Sequence, residues 1–240
     1  MSIRQTIKRV MPPSILTNYR QAKFQLRNLS YIPQSCRSVF QNIYANNEWG
    51  SQHSVSGPGS EPRETEDIRE LLPPLLQRLD VRSILDIPCG DFFWMKHVDL
   101  SGYDYIGADV VPALIESNRL KHEAAGRKFI CANLTEDDPL PKADLILCRD
   151  CLIHLSFKDA LAAVKTLQRS GAHYLLITTN PTVEANQPIR TGGYRSLNLQ
   201  LPPFSFPRPQ ELHRDRYSPK DGEHLIDPHK SLGLWALPFV

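Results

Sequence analysis

Five short runs rich in branched aliphatic residues, 83–87, 103–110, 128–132, 143–148 and 173–178, recur along the middle of the chain with helical stretches between most of them. Strands that are apolar throughout and separated by helices belong to a parallel sheet, because the helical crossovers that join parallel neighbours cover both of its faces. The chain of 240 residues, 41% of them hydrophobic, is long enough to bury one sizeable core. It has no apolar stretch approaching the roughly 18 residues that a membrane span needs. The expectation is one soluble domain with appendages.

The flanks differ from this middle. No acidic residue occurs in 1–47, whereas Arg4, Lys8, Arg9, Arg20, Lys23, Arg27 and Arg37 are basic, and Ile3, Ile7, Val10 and Met11 suit a short basic amphipathic helix. Residues 1–47 therefore read as a helical N-terminal arm, interrupted at Pro12-Pro13 and Pro33, and 48–240 as the main domain. The stretch NNEWGSQHSVSGPGSEP (46–62) is a loop by composition. Ser60 is expected to cap a following helix with Pro62 in its first turn, and Pro73-Pro74 to break or kink that helix. After Asn180 the chain turns proline-rich and aromatic, and KSLGLWALPFV supplies a last strand. The five cysteines (36, 89, 131, 148 and 151) are odd in number and lie mostly in apolar runs, which favours reduced thiols and a cytosolic compartment. Cys148 and Cys151 form a CxxC, but no second CxxC or nearby pair of histidines completes a metal site, so none is expected.

In open α/β sheets the ligand sits beyond the carboxyl ends of the strands. Asp86 closes the first strand in SILDIPCGDFFWM, Gly90 permits a tight turn, and Asp109 closes the second strand about 20 residues on, where an acid accepts bonds from ribose hydroxyls. This spacing points to adenosine. A dinucleotide also needs its pyrophosphate cradled on glycine backbone, yet Asp91, Phe92 and Phe93 stand where those glycines belong, and a carboxylate there repels phosphate. S-adenosylmethionine has no phosphate and carries a sulfonium and an ammonium, so acids in this loop favour it.

The stretches ILDIPCGDFFWM, YIGADVVPALIESN and ADLILCRDCLIHL resemble motifs I, II and IV of class I S-adenosylmethionine-dependent methyltransferases, over about residues 80 to 180. WGSQHSVSGPGS and TGGYRSLNLQLPPFSFPRP further resemble a bacterial subgroup associated with surface-polysaccharide and other glycan biosynthesis. The resemblance implies a Rossmann-like, doubly wound, mostly parallel seven-stranded α/β sheet, here with an N-terminal helical extension. It implies that Asp86, Pro88 and Gly90 lie along the methionine moiety and that Asp109 binds the ribose, with Val110 against the adenine. It also implies that Asn133 meets the adenine edge and that Arg149 lies beneath the sulfonium. Motif I departs from the family pattern in having Pro88, Cys89 and Asp91 around a single glycine.

Methyl transfer from a sulfonium is an in-line displacement, so the enzyme aligns the reactants and excludes water, and a hydroxyl acceptor must also lose a proton. Asp150 at the tip of the fourth strand and His154 four residues on are the candidate catalytic pair, sharing one face if a helix begins there. Their structural alternatives are a helix cap and a packed core histidine. The 48–62 loop is a candidate cofactor cover, with Gly57, Ser60 and Trp49 against the donor. Residues 190–210 are a candidate acceptor lid carrying Tyr194, Arg195 and Asn198. The basic arm has three readings: packing on the domain, contact with an anionic membrane surface, or nucleic-acid binding, the last disfavoured because its seven charges are scattered. The expected activity is methylation of a sugar hydroxyl or glycan-linked group in the cytoplasm, with peripheral membrane contact through the arm and no nucleic-acid partner. The alternatives are a methyltransferase for a small metabolite or amine, a non-catalytic cofactor-binding recruitment module and an NAD-dependent dehydrogenase.

Overall fold

The computed structural model describes residues 34–136, 138–215 and 229–239, so the basic segment 1–33 and the reading of it as a membrane contact lie outside the described residues. Residues Cys36–Val240 form one compact unit. Its strands are β1 (Ser83–Asp86), β2 (Asp104–Asp109), β3 (Arg127–Cys131), β4 (Leu145–Cys148), β5 (Tyr174–Thr179), β6 (Glu211–Arg214) and β7 (Ser231–Ala236). They form a seven-stranded sheet in the order β3-β2-β1-β4-β5-β7-β6. The first five run parallel, and β7 lies antiparallel between β5 and β6. This is the doubly wound fold that the apolar runs imply.

Alternation along the strands divides the core into two layers. Ile84, Leu145, Leu147, Leu176, Leu232 and Leu234 face α2 (Glu66–Arg78) and Ile115 of α3 (Pro112–His122). Leu85, Ile146, Cys148, Leu175, Ile177 and Trp235 face Ala160, Ala163 and Leu167 of α4 (Phe157–Gln168), with Phe40 of α1 (Cys36–Ala45) packed on the same layer. Helix α1, which the sequence groups with the basic arm, thus belongs to the compact unit.

Two local expectations are corrected. Ser60 does not cap α2; it ends a three-residue 3-10 turn, Pro58–Ser60, and α2 starts at Glu66. Of the break or kink expected at Pro73-Pro74, the break does not occur: α2 runs through both to Arg78. The cost of two prolines in a helix is met by packing, since Ile68, Leu72, Leu75 and Leu76 are all fully buried.

Candidate active site

The reversal of strand order between β1 and β4 opens a crevice at their carboxyl ends, and the sequence-predicted residues gather on its two sides. At the tip of β1, Asp86 is buried and accepts a 2.6 Å bond from the Tyr105 hydroxyl of β2; burial pushes its carboxyl up to about 7. Pro88 follows, half-buried. Gly90 has φ +54°, and a Cβ there would fall 2.2 Å from Ser56 Oγ, so the glycine is what lets the 54–56 loop close onto motif I.

Asp91 holds that loop. Its carboxylate accepts from Ser54 Oγ at 3.0 Å, Ser56 Oγ at 3.1 Å and the Val55 N–H at 3.0 Å, while its own N–H donates to Ser56 Oγ at 2.8 Å. Phe92, also at positive φ, turns into the core against Tyr105 and Phe129, which explains how so bulky a residue fits after a ligand-binding glycine. Asn118 of α3 ties the turn down by donating to Gly90 O at 2.7 Å. The anchoring roles of Asp91 and Asn118 carry no local sequence signal.

Asp109, at the tip of β2, accepts from the Gly90 N–H (3.2 Å) and the Val111 N–H (3.0 Å), and burial raises its carboxyl to about 6. Each carboxylate oxygen keeps acceptor capacity for a hydroxyl. Val110 beside it is half-buried. Asn133 is buried, but its amide is turned inward, with Oδ1 accepting from the N–H and hydroxyl of Thr135 and Nδ2 donating to Glu136. Its observed work is to shape the turn after β3 rather than to present a free amide to a base.

The β4 side is built from charges. Arg149 is buried and grips Asp215 through Nε, at 3.1 and 2.9 Å from the two carboxylate oxygens, and donates to Gly59 O (2.9 Å) and Glu64 O (3.1 Å). The expectation that Arg149 underlies the sulfonium is replaced: its donors are spent on fastening the 57–60 loop and the residue after β6 to β4. Lys230 lies 2.9 Å from Asp150 and 3.3 Å from Asp215. Neither Asp215 nor Lys230 was singled out from sequence.

Asp150 takes a left-handed conformation (φ 53°) and is engaged by Thr178 Oγ1, Lys230 and Arg149. Burial alone would push its carboxyl up, but Lys230 and Arg149 outweigh burial and hold it well below the usual carboxylate range. A group so reluctant to bind a proton is a poor base, so of the two roles open to it in the catalytic pair, orienting His154 or taking the proton itself, the second is disfavoured. It also does not cap a helix, since Ser156 caps α4.

A 3-10 turn, Leu152–His154, follows. His154 therefore does not share a helical face with Asp150. Its Nδ1 lies 2.7 Å from Gly193 O, and because a carbonyl only accepts, Nδ1 carries the proton and Nε2 keeps a lone pair. Burial lowers the imidazole's affinity for a second proton. The ring lies between Trp49, at 5.4 Å, and Tyr194, at 5.9 Å. Trp49, expected on the donor, thus packs on His154, with Gly57 against its other edge. Ser60 is buried and its N–H bonds Gly57 O. Gly59 lies against Asp150, so the 54–60 loop spans the crevice from Asp91 to Asp150.

The 192–195 strand of backbone runs along the 3-10 turn, its Gly192 and Arg195 N–H groups donating to His154 O (2.8 Å) and Ile153 O (3.1 Å). Tyr194 is 46% exposed and Arg195 is buried. Asn198 is corrected: it is buried, its Nδ2 donates to Pro181 O and Val183 O and its Oδ1 accepts from Gln200 N, so it organises the loop and is not presented to an acceptor. Cys148 and Cys151 are free thiols, and the hydrogen bond to Cys148 together with burial pushes the Cys151 thiol up, away from thiolate chemistry. Among the described residues no group of His, Cys, Asp and Glu side chains could hold a metal ion, and no helix is long and apolar enough to cross a membrane.

A sheet of this order, with buried acids at the tips of β1 and β2 beside the switch point, is the Rossmann-like architecture of the methyltransferases. The chain belongs to the family described as methyltransferase domain, whose model matches residues 61–221. Among solved structures the fold is similar to that of PigF with SAH (TM-score 0.61, 14% identity, 92% of this chain and 67% of that chain). It is also similar to a structure from work on conversion of a disulfide bond into a thioacetal group during echinomycin biosynthesis (TM-score 0.55, 17% identity, 85% and 92%). A third is the Burkholderia thailandensis 1,6-didemethyltoxoflavin-N1-methyltransferase with bound 1,6-didemethyltoxoflavin and S-adenosylhomocysteine (TM-score 0.54, 15% identity, 86% and 92%). The chain spans 60 to 67% of the length of the first four structures it matches. No curated protein matches the sequence.

Proposed function

We propose that the chain methylates an oxygen, and that the acceptor is a sugar hydroxyl or glycan-linked group. The observation that carries the oxygen assignment is His154, fixed as the Nδ1–H tautomer with an open Nε2 lone pair between two aromatic faces. The residues on the β1 and β2 side suit the donor: buried Asp86 and Asp109 are complementary to a cation, and no glycine-rich phosphate cradle is present. When bound, S-adenosylmethionine supplies an electrophilic methyl group. Asp86 would hold its cationic end and Asp109 its ribose. His154 Nε2 takes the proton of the acceptor hydroxyl, Gly193 O holds the resulting imidazolium by its other N–H, and the Trp49 and Tyr194 rings offer the flat apolar faces on which sugars pack. Work at a membrane surface through the basic arm remains part of this proposal.

Calorimetric titration with S-adenosylhomocysteine tests the donor side. The wild-type chain binds in the micromolar range, and Asp109→Ala weakens binding roughly 10- to 100-fold, since the buried hydroxyl contacts of the ribose and the Gly90 anchor are lost together. Binding by the variant equal to wild type sinks the ribose assignment, and no binding by either sinks the donor site.

The pH dependence follows from Asp86. Its raised carboxyl, near 7, is mostly protonated at pH 6 and mostly ionised at pH 8. Only the ionised form attracts the cationic donor, so affinity for S-adenosylmethionine rises with pH, roughly tenfold between pH 6 and 8, and binding at pH 7 releases protons. Titrations in buffers of different ionisation enthalpy measure that release; a flat affinity, or one indistinguishable from that of Asp86→Asn, contradicts the assignment.

A further inference from the structure

The compact unit buries two arginines at its site, and they are treated differently. Arg149 has its donors satisfied by Asp215 and two carbonyls. Arg195 is only 5% exposed, yet its Nε and Nη1 have no hydrogen-bond partner, and Nη2 makes one long bond, 3.4 Å, to Leu152 O. Its guanidinium lies over the Phe157 ring, 4.6 Å from the centroid. Burial pulls its pKa down to about 10, with no carboxylate among the described residues acting on it. It is therefore charged at neutral pH, desolvated and unpaired, a combination that is costly and that stable folding does not require. Its own backbone N–H bonds Ile153 O, two residues after Gly193 O holds His154.

We propose that Arg195 binds an oxyanion carried by the methyl acceptor, a carboxylate or a phosphate-type group, and so seats the acceptor beside His154. The inference rests on the methyltransferase reading and narrows its acceptor to an acidic one. The planar fork of a guanidinium backed by an aromatic face suits such a group, and the incoming anion supplies the partners that Nε and Nη1 lack. The Tyr194 ring, 46% exposed and 5.9 Å from the His154 ring, offers a wall for the rest of the acceptor.

The test titrates the full-length protein with acetate and, separately, inorganic phosphate, following arginine Nε–H signals by NMR, with and without saturating S-adenosylhomocysteine. The expected result is a saturable shift of the Arg195 signal by one anion or both, the stronger probe naming the source, with no shift by neutral acetamide. Arg195→Gln weakens this binding at least tenfold. Arg195→Met melts at or above the wild-type temperature, because an unpaired buried charge has been removed. Absence of a saturable shift, anion binding unchanged in Arg195→Gln, or a melting point several degrees lower in Arg195→Met each overturns the proposal, the last by making the guanidinium structural. Retained S-adenosylhomocysteine binding with no anion binding defeats this inference alone; loss of both defeats the methyltransferase reading it rests on.

Discussion

Arg149→Met lowers the thermal midpoint by about 10 °C. The substitution leaves Asp215, 0% exposed, and Asp150 to share one cation among the described residues, Lys230, and it releases Gly59 O and Glu64 O. Breaking a buried ion pair by removing one partner costs about 3–5 kcal/mol, and in a domain of this size 1 kcal/mol moves the midpoint by about 2–4 °C. The double variant Arg149→Met with Asp215→Leu recovers much of the loss, since an apolar pair of similar volume replaces a charged one without an orphan. Differential scanning calorimetry of the wild type, both single variants and the double variant measures the coupling. Additive losses, or an Arg149→Met midpoint within 2 °C of wild type, refute the clamp.

His154→Gln lowers kcat by about 10²- to 10⁴-fold with any hydroxyl acceptor that turns over, the range expected for loss of a positioned general base. Affinity for S-adenosylhomocysteine stays within about twofold, because the histidine's contacts are with Gly193, Trp49 and Tyr194 and not with the tips of β1 or β2. The pH profile supplies a second readout. Burial lowers the imidazole pKa from its ordinary value of about 6.5, so the base is mostly unprotonated at neutral pH, and the acid limb of kcat has its midpoint below pH 6.5. An acid limb with its midpoint above pH 6.5, or a rate that survives in the glutamine variant, removes His154 from the chemistry. Asp150→Asn then separates field from proton transfer: the ionised Asp150 carboxylate raises the proton affinity of His154, so its loss perturbs the loop and the β4 tip and moves the acid limb to lower pH without abolishing turnover.

The parallel strands were legible because Leu145–Cys148 and its neighbours are apolar on both faces, a pattern that no surface segment sustains. Strand β6 was not, since Glu211–Arg214 alternates half-buried and exposed positions, with Glu, His and Arg among its four residues, as suits a charged edge. The start of α2 was misplaced because Ser60 and Pro62 have the right chemistry for a helix start, while Arg149 draws Gly59 O and Glu64 O toward itself from 90 and 85 residues away. The same distance effect governs the site. Asp86, Gly90 and Asp109 stand in a fixed local spacing that can be read directly. The clamp of Arg149, Asp215 and Lys230, and the grip of Asp91 on the serine loop, join residues far apart in the chain and leave no trace in any short window. Arg195 and Asn198 were grouped by composition alone, and only packing separates the unsatisfied guanidinium from the fully occupied amide.

The switch in strand order at β1 and β4 also partitions the chain along its length. The groups suited to the donor fall within 86–109, on the β1–β2 side, while His154, Tyr194 and Arg195 come from 150–195, with Trp49 contributed from upstream. The two sides meet through the 54–60 loop and the Arg149 clamp rather than through a common set of side chains. Under the proposed roles of the two sides, substitutions that retune what is methylated accumulate on one side of the crevice while the donor half stays unaltered, an arrangement under which a lineage explores new acceptors without having to rebuild its means of activating the methyl group.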